Sequence, residues 1–211
     1  LKQEIKKPSE KYVFYDFETK LDPTTKKHIV NYCVVQYFNG EEKVFTTIDQ
    51  FCTWAFVTEK TKHKGYTFTA HYGKGYDFQF VAEWLIAHAV TPDIIYNGQK
   101  ILQLEIKKDY NIRFIDSIFF TLMPLRNFPK TFGLEELAKG YFPHKFNTDQ
   151  NQNYNGSCPD KELYDYSQMT KKTKEDFDIW YEKVKEQKFN FKEEMYKYCH
   201  SDVDILRRGC L

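Results

Sequence analysis

Two carboxylates, Asp16 and Glu18, stand one residue apart in the run Tyr12 to Glu18. The run alternates aromatic and polar residues, the period of a strand. Residues two apart on a strand point to the same face. Asp16 and Glu18 therefore project together while Phe17 enters the core. Two carboxylates side by side raise each other's pKa unless a cation sits between them. Hard divalent ions such as Mg²⁺ prefer such oxygen ligands. Taken alone, an acid-x-acid pair also reads as a solvated edge of a sheet.

A second acid closes the segment Ala70-His71-Tyr72-Gly73-Lys74-Gly75-Tyr76-Asp77. A strand ends there, a glycine loop turns, and Asp77 opens a helix. An acid in that place also satisfies free N–H groups and the helix dipole. The third signal is Tyr198-Cys199-His200-Ser201-Asp202 on a late helix. Positions four apart share a helical face, so Tyr198 and Asp202 act on one side. Asp202 can then ligate a metal while the Tyr198 hydroxyl reaches an attacking water; taken alone, the same spacing also reads as an amphipathic helix with Tyr198 half buried. Asp204 falls on the other side and reads as solvated. Cys199 and His200 lack the second ligand pair of a zinc site and read as ordinary side chains.

These residues need a scaffold. Val30 to Phe38 and Lys43 to Thr47 read as strands joined at the turn Asn39-Gly40, so the chain opens as a three-stranded meander. Asp49 is the expected N-cap of a helix over 50–59. Tyr66 to Ala70 reads as a strand, 77–89 as a helix, and Ile101 to Lys107 with Asn111 to Asp116 as a hairpin. A short helix is expected over 131–139, a loop over 147–158, and helices over 171–188 and 191–208. Hairpins followed by helices packed on a sheet indicate an α/β layer fold.

Composition limits the function classes. The 211 residues include 31 basic and 30 acidic ones, a net charge of +1, which argues against tight non-specific coating of nucleic acid. A metal-dependent nuclease tolerates that balance because bound ions supply positive charge. Five dispersed cysteines without a C-x-x-C pair fit a reducing intracellular compartment. No apolar run has the length of a membrane span. A start at Leu1 suggests a piece of a longer protein, with residues 1–11 a loose leader to a domain over 12–211.

The order Asp16, Glu18, Asp77, Asp202 resembles the DEDD exonuclease superfamily, whose fold is ribonuclease-H-like, a mixed β-sheet flanked by helices. Tyr198 four residues before Asp202 matches its tyrosine branch. The sister branch has His five residues before, where this chain has Lys197. The segments Val13 to Thr19, Ala70 to Asp77 and Tyr198 to Leu206 look like the three exonuclease motifs of protein-primed family B DNA polymerases. Phe114-Ile115-Asp116-Ser117, Leu125 with Pro129 to Leu134, Lys139 to His144, and Ser201 to Cys210 are similar, more narrowly, to polymerases of Maverick/Polinton transposons and related viruses or plasmids.

The resemblance implies a two-metal 3′→5′ exonuclease of proofreading type. Asp16, Glu18, Asp77 and Asp202 would hold two Mg²⁺ or Mn²⁺ ions, and Tyr198 would orient the water. Thr19, His71, Tyr76 and Ser117 match positions that contact a single-stranded DNA 3′ end. The family also has a lysine near the scissile phosphate, for which Lys145 is the candidate and Lys139 the reserve. Tyr72 stands where the family has asparagine. It lacks the amide's two donors but can stack on a base. Ile118 replaces a usual leucine. The implied partners are the DNA 3′ end and a polymerase domain of the same parent chain, in a monomer without membrane attachment; for a eukaryotic element the compartment would be the nucleus. The competing readings are a single-strand-binding module that has lost cleavage, and a domesticated domain acting on RNA.

Overall fold

The computed structural model describes residues 9–73, 76–134, 137 and 140–211. Lys74, Gly75, Lys139 and most of the leader therefore lie outside the described residues, as does half of the helix expected over 131–139. The strands are β1 (Tyr12–Leu21), β2 (His28–Tyr37), β3 (Glu42–Phe45), β4 (Thr67–Ala70), β5 (Asp93–Asn97), β6 (Lys100–Ile106), β7 (Ile112–Asp116), β8 (Asn155–Ser157) and β9 (Lys188–Asn190). The α-helices are α1 (Ile48–Thr53), α2 (Asp77–Ala87), α3 (Ile118–Thr121), α4 (Phe128–Thr131), α5 (Lys171–Val184) and α6 (Phe191–Cys210).

Among the described residues, seven strands form one sheet in the order β3-β2-β1-β4-β7-β6-β5, and β8 and β9 form a separate ribbon. The meander β1-β2-β3 is antiparallel. Strand β1 pairs parallel with β4, and β4 parallel with β7, so three strands share one carboxyl edge. Open sheets of this kind place ligand sites outside the carboxyl ends of their parallel strands.

Both sheet faces are covered, which explains why β1 is apolar at so many positions. Val13, Tyr15 and Phe17 enter a core with Phe51, Trp54, Phe68 and Phe78. Phe14 points the other way, into a second cluster with Val34, Cys199, Val203 and Leu206. Alternation thus sends Asp16 and Glu18 to the α6 side, with Phe17 on the opposite face as the pattern required.

Helix α1 departs from expectation at its start. Its N-cap is Thr47, whose hydroxyl accepts from the Gln50 N–H. Asp49 lies in the first turn and its carboxylate accepts from Trp84 Nε1 at 2.9 Å. The helix continues as a π-helical turn over Trp54–Thr58. Helix α4 starts at Phe128 because Pro129 sits in its first turn, where no N–H is needed.

Candidate active site

The long helix α6 is fixed at its start by Asn190, whose side chain accepts from the Lys192 and Glu193 N–H groups. Its buried stripe includes Met195, Cys199, Asp202, Val203 and Leu206, at the i, i+3, i+4, i+7 spacing of a core face. Asp202 is therefore the polar member of an apolar stripe and lies against the sheet, 4 % exposed. The Cys199 thiol, one turn away, donates to the Asp16 carbonyl oxygen at 3.6 Å, which ties α6 to β1 beside the first carboxylate. Asp204 lies on the flank, but it is not solvated. Its side chain is 16 % exposed and accepts from Arg207 Nη2 at 2.7 Å. Arg207 in turn donates to Gln36 of β2.

The four expected carboxylates share one electrostatic field. Burial pushes the Asp77 carboxyl well above the usual carboxylate range, and the charges of Glu18 and Asp116 push it further. Tyr198 is half-buried. Burial raises its phenol, followed by Asp202, Glu18 and Asp16. The Cys199 thiol is raised by burial and then by Asp16 and Glu18. One strand, one helix start and one late helix thus bring these groups within reach of one another's charge. Asp16 and Asp202 line a cleft of 670 Å³ together with His71, Tyr72, Leu122 and Arg126.

This donor set fits a hard divalent cation. It is all oxygen, and like charges that raise each other's proton affinity are relieved by a cation among them. Among the described residues, no three histidine, cysteine or acidic groups close tightly enough to cage an ion unaided. Mg²⁺ commonly takes one or two carboxylates plus waters and substrate phosphates rather than an all-protein cage.

Of the residues expected to hold a nucleic-acid end, His71 and Tyr72 line the same cleft as Asp16 and Asp202. Thr19 Oγ1 lies 3.1 Å from the Tyr76 hydroxyl and 3.1 Å from His28 Nδ1. The Tyr76 ring packs edge-on against His28 and Phe80. His71 Nδ1 and the Ser117 hydroxyl share a 2.8 Å hydrogen bond across the ends of β4 and β7. Tyr72 is 57 % exposed and adopts φ 65°, a left-handed conformation. Lys145 does not engage the carboxylates. Its ammonium pairs with Asp165 at 2.8 Å and reaches the Glu162 carbonyl.

Three residues were given no role in the sequence reading, although Asp116 and His144 lie in segments that carry the family resemblance. Asp116, fully buried at the end of β7, accepts from the Tyr72 and Ile118 N–H groups. A carboxylate at an inward position of the strand Ile112–Asp116, in phase with Ile112 and Phe114, was a signal for it, as was its neighbour Ser117. Asn147 donates to the Thr19 carbonyl at 2.9 Å, beside the register shift between Glu18 and Thr19. His144 places Nδ1 3.5 Å from Glu18 Oε2 and sets its ring edge-on to Tyr198. Asn147 had no local pattern to announce it, and His144 was marked only as the end of the segment Lys139 to His144.

A family model described as "DNA polymerase type B, organellar and viral" matches residues 57–208. A "Probable DNA polymerase" of Neurospora intermedia is 28 % identical over 154 residues, covering 69 % of this chain and 16 % of that protein. Phi29 DNA polymerase, solved with primer-template DNA and incoming nucleotides, superposes with a TM-score of 0.58 at 15 % identity, over 96 % of this chain and 30 % of that one. The same polymerase solved with single-stranded DNA gives 0.54 at 15 % identity, over 95 % and 30 %. The shared fold is the α/β, ribonuclease-H-like sheet flanked by helices. The chain spans under a third of each of these relatives.

Proposed function

From the premise that this chain belongs to the organellar and viral type B DNA polymerases, we propose that it is a metal-dependent 3′→5′ exonuclease of proofreading type. The observation that carries the reading is the common field of Asp16, Glu18, Asp77, Asp202 and Tyr198 beside an open cleft. Relatives that are DNA polymerases, one of them solved with DNA, support DNA as the substrate class.

Asp16, Glu18, Asp77 and Asp202 would hold two Mg²⁺ or Mn²⁺ ions, which supply a water of lowered pKa and positive charge for the departing 3′ oxygen. The chain's own groups do the rest. The Tyr198 phenol, one turn from Asp202, orients the attacking water. Thr19, His71, Tyr76 and Ser117 hold the last unpaired nucleotides. Tyr72, exposed at the cleft, offers a face for a base. Such contacts read no sequence, and a base must leave its pair to make them. Frayed and mismatched ends are therefore cleaved first, releasing deoxynucleoside 5′-monophosphates.

Labelled single-stranded DNA with Mn²⁺ tests the reading. The wild type should yield a ladder and mononucleotides, and Asp16→Ala or Asp202→Ala should yield neither. Either variant at wild-type rate contradicts the assignment. The exposed Tyr72 ring favours a second reading, a binding module acting on single strands of DNA or RNA. A gel shift without a ladder, competed by RNA, would establish that one instead.

A further inference from the structure

We propose that His28 is a positioning residue of the site that holds the 3′ end: by donating a hydrogen bond to the Thr19 hydroxyl, it turns the Tyr76 phenol outward as a donor to the incoming strand. The inference rests on the exonuclease reading and extends it to a residue outside the three motifs. The Thr19 hydroxyl stands between two partners, His28 Nδ1 at 3.1 Å and the Tyr76 hydroxyl at 3.1 Å. Thr19 directly follows Glu18, and Tyr76 directly precedes Asp77. His28, Thr19 and Tyr76 therefore link β2, β1 and the start of α2 beside two of the candidate metal ligands.

Each member of this chain of hydrogen bonds is held in place. His28 opens β2 opposite Leu21, the outermost antiparallel pair of the two strands. The connecting turn is closed by the Asp22 N–H, which donates to the Lys27 carbonyl at 2.8 Å, and the Asp22 carboxylate accepts from the Thr24 and Thr25 N–H groups. Asn147 donates to the Thr19 carbonyl at 2.9 Å. The Tyr76 ring stands edge-on to His28, centroids 5.2 Å apart, and to Phe80 at 5.0 Å. His28 is exposed, so it is no part of the core. Its hydrogen bond and its ring contact both run to residues of this site.

A hydroxyl carries one proton, so Thr19 donates to only one of its two partners. If it donates to His28, its oxygen accepts from Tyr76 and the phenol proton is turned inward. If His28 Nδ1 carries hydrogen, Thr19 accepts from it and donates to the Tyr76 oxygen. The phenol proton is then directed away from Thr19, free for another acceptor. The phosphate and sugar oxygens of a DNA strand are such acceptors, and tyrosine is among the side chains that bond to them. An arriving strand therefore selects the second arrangement. The neutral ring supports it in the tautomer with hydrogen on Nδ1.

The test compares His28→Ala, His28→Asn, Tyr76→Phe and the double variant His28→Ala with Tyr76→Phe in single-turnover cleavage of single-stranded DNA with Mn²⁺. His28→Ala should raise the half-saturating DNA concentration about fivefold, the scale of one neutral hydrogen bond. The maximal rate should stay near that of the wild type. His28→Asn, whose amide nitrogen can donate in place of Nδ1, should recover most of the loss, which a merely structural role would not do. Tyr76→Phe leaves no phenol proton to direct, so adding His28→Ala to it should cost nothing further. Unchanged half-saturation in His28→Ala, no recovery in His28→Asn, or a full further loss in the double variant overturns the proposal. If the wild type cleaves nothing, the exonuclease reading fails separately. The inference is then read from affinity for the same oligonucleotide with Ca²⁺: weaker binding in His28→Ala, restored in His28→Asn, supports it, and any other order overturns it.

Discussion

The Tyr72 N–H donates to Asp116 Oδ1 at 2.9 Å, which joins the loop after β4 to the end of β7 while Tyr72 sits at φ 65°. A left-handed tyrosine is costly, and the bond helps hold it there. Asp116→Ala strands two backbone donors, Tyr72 N and Ile118 N. It should cost about 1–3 kcal/mol in urea unfolding. Tyr72→Asn should be as stable as the wild type or better by up to about 1 kcal/mol, because asparagine visits this conformation readily. A lower midpoint would mean that the tyrosine ring itself secures the loop.

Asp77 carries the tension of the site. Its raised carboxyl means that the folded chain keeps a proton the unfolded chain has released. Stability therefore falls as pH rises from the ordinary carboxylate range toward the folded-state value. At pH 8 without divalent ions, Asp77→Asn should unfold at higher urea than the wild type, by roughly 1–2 kcal/mol, as removal of functional-site strain commonly does. Added Mn²⁺ should stabilise the wild type more than the variant, since only the intact set pairs a full charge with the ion. An Asp77→Asn protein weaker than wild type without metal would contradict this account of the site.

His63 makes a separate pH prediction far from the carboxylates. It is fully buried, with Nδ1 2.9 Å from the Ala55 carbonyl and Nε2 2.8 Å from the Tyr37 hydroxyl. A carbonyl only accepts, so the proton is on Nδ1 and Nε2 accepts from Tyr37. Burial lowers the ring's pKa below 6.5, helped by Lys62 and Lys43 and opposed by the Ala55 bond and Glu59. The unfolded state then binds the proton first as pH drops. The neutral ring's contribution is complete above about 6.5 and is lost as pH falls through the folded-state value. Thermal melts should show the wild type losing stability over that window, with a flatter profile in His63→Gln. Parallel profiles would remove His63 as the cause.

Packing of α6 on α4 can be tested without touching the chemistry. A methyl at Gly209 would lie 2.4 Å from Cδ2 of the buried Phe128 ring. Gly209→Ala should therefore destabilise by about 1–3 kcal/mol, the range for overpacking. An unchanged midpoint would show that Phe128 can yield.

The shared faces of the candidate residues were legible wherever a residue's partner lay within one strand or one helical turn. Asp16 with Glu18 and Tyr198 with Asp202 obey such local periods, and the meander announced itself through Asn39-Gly40. Contacts between distant segments left no such trace. His144 meets Glu18, and Asn147 meets Thr19, only because the chain between β7 and α5 folds back over β1. Strand β5 was missed because it is an exposed edge paired only with β6, so no buried face imposed alternation. Strand β8 is Asn-Gly-Ser, a loop composition held extended by pairing with β9. Asp204 looked solvated because its cover, Arg207 over Gln36, comes from tertiary packing.

The gathering of Asp16, Glu18, Asp77 and Asp202 around cations is the centre of this account. Anomalous scattering from a crystal soaked in Mn²⁺, with a single-stranded oligonucleotide bound, measures it directly. The account predicts two manganese peaks among these four carboxylates, with the terminal phosphate beside them. Peaks elsewhere, or none while the oligonucleotide occupies the cleft, would contradict it.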